Sequence, residues 1–136
     1  MYNQKLLEIF KNPINAGGLQ GANGTAKLGF NDGAIVIKFY ILVNESGIIE
    51  NARFKTMGTA NVVAVSSILT SLVIGKSIEE AEQIATKDIL EVINLDADKM
   101  DSLFIDECGY CQETMFYALQ DYITKKEKED KKKQAK

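Results

Sequence analysis

The sequence predicts an α+β fold: a small antiparallel sheet with helices packed on one face. Three observations carry that prediction. Ala34 to Val43 is a nearly continuous apolar run rich in Ile, Val, Phe and Tyr, the composition of a covered strand. Ile48 to Met57 follows after a short polar link, so the two runs pair as an antiparallel hairpin. From Thr59 onward the apolar period changes from that of a strand to that of a helix.

Each element has its own signals. Tyr2 to Lys11 places Leu6, Leu7, Ile9 and Phe10 as a short amphipathic helix would, and Asn12-Pro13 stops it, because the residue before proline is pushed out of the helical region. Residues 15 to 33 carry Gly17, Gly18, Gly21, Gly24, Gly29 and Gly33 and read as turns, with a short strand near Thr25 to Phe30. Their spacing matches no phosphate-binding fingerprint. Asn44-Glu45-Ser46-Gly47 connects the hairpin, whose return strand sets Ile48, Ala52 and Phe54 on one face and Asn51, Arg53 and Lys55 on the other.

Val62, Val63, Val65, Ile68, Leu69, Leu72 and Val73 predict a helix over 60–74 that is apolar around most of its girth, with Thr59 as N-cap and Gly75 to end it. Ser77 and Glu80 have the spacing of a capping box, which starts a helix running to about Ile84. Thr86 to Ile93 forms another short helix, and residues 94 to 106, with Asp96, Asp98 and Asp101, read as a polar irregular loop. A final helix is expected from about Cys108 to Lys126, with Met115, Leu119, Tyr122 and Ile123 as its core stripe. Residues 1–124 therefore read as a single domain. Residues 125–136 mix charges with almost no apolar side chain and are expected as a disordered tail.

The composition excludes several kinds of chemistry. The chain has 136 residues, enough to bury a core, and a net charge of −3, which gives no global electrostatic case for nucleic acid. It contains no histidine, so His-based acid–base catalysis, Ser-His or Cys-His dyads and His metal ligation are all absent. No constellation for hydrolysis, phosphoryl transfer or hydride transfer is present, and the chain reads as a non-enzyme. No run of apolar residues is long enough for a membrane span, and the N-terminus lacks the basic-then-apolar pattern of a signal peptide. Two cysteines without an export signal fit a reducing cytoplasm, where a close pair more often binds metal or cycles its redox state than staples the fold.

Several segments, taken in order, resemble the N-terminal domain of the IscU/NifU iron–sulfur cluster assembly scaffold family. They are Asn12-Pro13-Ile14-Asn15-Ala16-Gly17, the run from Gly47 through Phe54-Lys55-Thr56-Met57-Gly58, Ser66-Ser67, Gly75-Lys76-Ser77-Ile78-Glu79-Glu80-Ala81, and Asp121-Tyr122. The resemblance spans Asn12 to Tyr122. It implies a 2Fe-2S cluster, or zinc, held by three loop cysteines plus an Asp or a His, since soft thiolates suit iron and the loops converge at one end of the sheet.

The resemblance also shows where this chain departs. The first ligand cysteine falls on Gly33 when counted back without gaps from Asn44, and Asp32 stands in for the family aspartate only if the loop shifts. The second falls on Thr59, whose neutral hydroxyl is a poor iron ligand. The third matches Cys108, with Glu107 in the family histidine's place and Cys111 as an addition. A Leu-Pro-Pro-Val-Lys stretch becomes Leu95-Asp96-Ala97-Asp98-Lys99, which removes the preformed extended shape used for docking of the specialised Hsp70.

Cys108 and Cys111 admit three readings. They supply two soft ligands of a metal site completed by Asp32, Glu107 or a second protomer; they cycle between dithiol and disulfide; or Cys111 packs beside Met115 and Ala118 while Cys108 is incidental. If they open a helix, its dipole lowers the Cys108 pKa, against like-charge repulsion from Asp106 and Glu107. A 2Fe-2S centre usually takes four protein ligands, so a cluster held by thiolates alone predicts a homodimer, whereas a monomeric cluster would use carboxylates and be weak. The leading expectation is a cluster-assembly scaffold-like protein that binds iron, 2Fe-2S or zinc, with a cysteine desulfurase and acceptor apoproteins as partners. The alternatives are a metal-free adaptor for the desulfurase or another assembly component, and a thiol-disulfide protein.

Overall fold

Strand β2 (Ile35–Val43) is the centre of a three-stranded antiparallel sheet, flanked by β1 (Gly24–Phe30) and β3 (Ile49–Met57). The computed structural model describes residues 3–134. Along β2 the alternation is strict: Ile35, Ile37, Phe39, Ile41 and Val43 are buried, and the residues between them face the other way. The buried face receives the helices. α2 (Ala60–Val73) packs on β3, α5 (Ser102–Gln134) lies across β1 and β2, and α1 (Gln4–Lys11) rests against α2. The short helix α3 (Ile78–Glu82) packs on α5, and α4 (Thr86–Val92) bridges α2 and α5. Helices on one face of an antiparallel sheet are the predicted architecture, and among the described residues no helix is long and apolar enough to cross a membrane.

Local chemistry sets the element ends where the sequence predicts them. Thr59 caps α2 by accepting the Val62 amide, and Gly75 leaves the helix at φ +89°. Ser77 and Glu80 form the expected reciprocal capping box of α3. The Asn12–Gly17 segment covers the free edge of β3: the Phe54 amide donates to Asn15 O at 2.9 Å and the Gly17 amide to Phe54 O at 2.8 Å. Ser67 ties that segment to α2, its hydroxyl accepting from the Ile14 amide and donating to the Ile14 carbonyl. A covered edge has fewer open ladder groups for another chain to pair with.

Three expectations are corrected. The alternation predicts Ile48 on the inner face of the return strand, but Ile49 is the buried residue. Leu42 pairs with Asn51 and Val43 with Ile49, so Glu50 is the extra residue of a bulge that shifts the alternation by one. The final helix starts at Ser102 rather than near Cys108, because Asp101 caps it by accepting the Phe104 amide at 2.8 Å. The tail expected to be disordered from residue 125 is helical to Gln134. Lys and Glu are good helix formers, Lys125–Asp121 and Lys126–Asp130 pair at i,i+4, and lysines in the last turn complement the dipole. The expected helix start at Tyr2 and the last tail residues, 135 and 136, lie outside the described residues.

Close approach of α5 to the sheet depends on Gly24. A Cβ there would sit 2.7 Å from the Ala118 carbonyl oxygen and 2.7 Å from Ile41 Cγ1. One turn on, Asp121 clamps the same strand by accepting the Thr25 amide at 2.8 Å. Partial burial pushes the Asp121 carboxyl upward, but Lys125 and the Thr25 amide outweigh it and hold the pKa below the usual range. Gly24→Ala is therefore expected to destabilise the protein by about 1–3 kcal/mol, the usual cost of overpacking a filled site. Urea unfolding with an unchanged m-value is the check.

Candidate functional site at one end of the sheet

Three segments meet at the end of the sheet where β1 turns into β2 and β3 enters α2. The β1–β2 turn holds Asn31, Asp32 and Gly33 at positive φ. It leans on α5: Tyr110 stacks on Phe30 with ring centroids 4.3 Å apart, and its hydroxyl donates to Asn31 Oδ1 at 3.4 Å. Beside it, the β3–α2 junction brings Thr59 and Asn61 to the second turn of α5, where Glu107 and Cys108 lie, with Cys111 in the next turn.

Glu107 is the centre of this meeting. It is 1% exposed, and both carboxyl oxygens are engaged: the Thr59 hydroxyl donates to Oε2 and the Asn61 amide donates to Oε1 at 3.2 Å. Thr59 uses its hydroxyl twice, donating to Glu107 while accepting the Val62 amide. Glu107 thus sits against the N-terminus of α2, where the helix dipole favours a negative group. A carboxyl buried without such partners would be strongly unfavourable, so the contact joins α2 to α5.

Both cysteines face the core and are reduced, each 0% exposed. Because α5 begins at Ser102, they lie well inside the helix rather than at its first amides, and the pKa-lowering expected from a helix start does not operate. Burial, and secondly the neighbouring Glu107 charge, push the Cys108 thiol from an ordinary 9.0 up to about 12. Burial likewise pushes Cys111 up to about 12, with a partial offset from Ser66 and further upward pushes from Cys108 and Glu107. Cys111 also donates weakly to the Val62 carbonyl at 3.7 Å, and Ser66 lies 3.7 Å from its sulfur. Met115 and Ala118 are buried on the same side of α5, so the packing role foreseen for Cys111 is realised.

The predicted ligand positions are therefore neighbours without forming one ligand set. Cys108 and Cys111 share a helix face at i,i+3, and Glu107 adjoins Cys108. Asp32 is exposed in its turn, and among the described residues no three His, Cys, Asp or Glu side chains come together as metal ligands. Gly33 is a backbone device at φ +87°, and Thr59 is a cap and a donor. Asn61 and Tyr110 were not singled out by the sequence. Asn61 lies two residues beyond the Thr59 cap, but nothing in the sequence says that its amide finds a carboxyl on α5.

The thiols bear on stability through pH. A thiol whose folded pKa is raised favours the folded state fully below its unfolded value, and that contribution is lost as pH rises through the folded value. The window here is from about 9 to about 12. Wild type should lose urea stability across that range more steeply than Cys108→Ala/Cys111→Ala, and parallel curves for the two proteins would contradict the assignment.

A family model described as the NifU-like N terminal domain matches residues 1–129. The chain is similar to the iron-sulfur cluster assembly scaffold protein IscU of Aquifex aeolicus, with 39% identity over 125 residues, 91% of this chain and 77% of that protein. It is similar to the IscU scaffold protein of Escherichia coli K12, with 35% identity over 129 residues, 93% of this chain and 97% of that protein. In fold it is similar to an N-terminal NifU-like protein from Brucella abortus, at a TM-score of 0.66 and 17% identity, covering 90% of this chain and 94% of that one. A scaffold protein for the SUF system from Fervidobacterium islandicum gives a TM-score of 0.60 at 19% identity, covering 88% and 93%.

Proposed function

The chain belongs to the family of NifU-like N-terminal domains, and on that footing we propose that it is a non-enzymatic, scaffold-like protein of iron–sulfur cluster assembly in the cytoplasm. Its cargo is iron or a 2Fe-2S cluster, with zinc as a competing ion, and it receives sulfur from a cysteine desulfurase and delivers to apoproteins. The observation that carries this reading is the convergence of the 31–33 turn, the 58–61 junction and Glu107-Cys108 at one end of the sheet. The relatives that share the frame bear the name of cluster assembly scaffolds.

The diverged ligands dictate how cargo is held. Cys108 and Cys111 are the only thiols the chain has. A 2Fe-2S cluster, which usually takes four ligands, is therefore shared by the cysteine pairs of two copies, or takes Glu107 or Asp32 as weaker oxygen donors. Loading requires three changes: the Thr59–Glu107 contact opens, the thiols leave the core, and each gives up a proton. The closed arrangement opposes all three, so occupancy rises with pH and falls with any change that tightens α5 on α2.

A metal-free adaptor that keeps the frame to bind the desulfurase is the second reading. Complete burial of both thiols and the lack of a third ligand among the described residues favour it. Iron and sulfide content and the absorption spectrum, measured on protein purified without oxygen and after reconstitution, separate the two. The scaffold reading expects iron and sulfide that disappear in Cys108→Ser/Cys111→Ser. Protein that stays metal-free and resists reconstitution, yet forms a stable complex with the desulfurase, makes it an adaptor.

A further inference from the structure

The face of the sheet that the helices leave open carries an unbalanced row of charge. Lys27 of β1, Lys38 of β2 and Lys55 of β3 are direct cross-strand partners, so three lysines line up across all three strands. In the next row Tyr40 pairs with Arg53 and Thr25, and on the other side Val36 pairs with Met57 and Gly29. None of the residues paired in register on this face is a carboxylate, the exposed Glu50 being the unpaired bulge residue at the far end of β3, and none of these lysines is ion-paired among the described residues. The chain as a whole is nevertheless acidic, at −3.

Such a row costs stability. Directly opposed like charges in a sheet repel, and a β-branched residue is the favoured occupant of a half-exposed central strand. Lysines often guard sheet edges against unwanted pairing, but Lys38 lies on the central strand, where there is no edge to guard. Among the described residues, the cation–π contact that offsets it is with the Tyr40 ring, 4.8 Å from Lys38 Nζ. Gly18 packs on Lys55 and Tyr40, so the 17–19 loop closes one end of the face. The other end is an open concavity lined by Lys27, Val36, Lys38, Tyr40, Lys55 and Met57. Met57 is 63% exposed.

We propose that this face is a docking surface for an acidic protein segment that sets carboxylates against the Lys27–Lys38–Lys55 row and an apolar side chain against Val36 and Met57. A protein partner fits better than a polyanion. The row is three residues wide, with strands about 4.8 Å apart, so it is too short to track a nucleic-acid backbone. The repulsive field of the whole chain also disfavours an extended anion. Charged groups around a small apolar centre are, by contrast, the usual composition of a protein interface. The surface ends at Met57, one residue before Gly58 and the functional end of the sheet, so a bound segment reaches the Thr59–Glu107 junction from the outside. The inference does not depend on whether cargo is bound.

The test is a titration of the isotope-labelled full chain, at low ionic strength, with a blocked peptide that repeats two glutamates and one leucine. A thymidine oligonucleotide and phosphatidylglycerol vesicles are run in parallel. Saturable amide shifts are expected around residues 27, 36, 38, 55 and 57, fading as salt rises. Lys38→Thr and Lys55→Glu should each weaken the peptide at least about tenfold. Lys38→Thr should at the same time raise the melting temperature, because it removes the central repulsion. Loss of binding with a gain in stability identifies a surface kept for a partner. Shifts elsewhere, no shifts, or tighter binding of the oligonucleotide or vesicles would overturn the proposal. So would concentration-dependent self-association abolished by Lys38→Thr, which would make the occupant a second copy.

Discussion

The hydrogen-bonded contact of Glu107 with Thr59 and Asn61 is the constraint on which the functional end of the molecule depends. It joins the start of α2 to the second turn of α5, the two helices that cover the sheet. Removing either side strands a buried polar group, which costs more than the hydrogen bond is worth by itself. With the contact intact, α5 stays on the sheet, Cys108 and Cys111 face inward, and their thiols remain protonated at ordinary pH. The state of the site therefore follows from one junction rather than from the cysteines themselves.

The same junction ties the β3–α2 segment to α5 through side chains alone. A hydroxyl at the cap of α2 and an amide in its first turn meet a carboxyl on α5, so hydrogen bonds hold these segments together. The consequence is a closed end. Under the proposed scaffold function, cargo competes with this contact.

Much of the fold is legible in the sequence because local signals and tertiary demands agree. The Ile- and Val-rich run of β2, the Thr59 cap, Gly75 and the Ser77/Glu80 box all specify what the structure contains. The failures have identifiable causes. The bulge at Glu50 is set by pairing with β2, which periodicity along one strand does not report. The start of α5 is hidden in the sequence because Asp101 is one loop acid among several, and its role as a cap before Leu103 and Phe104 shows only in the structure. At the site, residue identities were readable and their mutual arrangement was not. Glu107 was singled out as a ligand, whereas its partners on α2 are supplied only by the packing of α2 on α5. The thiol environment turned on the same misplaced helix start.

The most direct test of this account is a double-mutant cycle for unfolding, built from Thr59→Val and Glu107→Met, which replace polar groups with apolar ones of similar shape. If the junction governs the site, each single change leaves a partner stranded and the double change relieves it. The predicted coupling is at least about 1 kcal/mol. Additivity within about 0.5 kcal/mol would mean that Thr59 and Glu107 act separately, and that the closed end of the molecule owes its stability to something else.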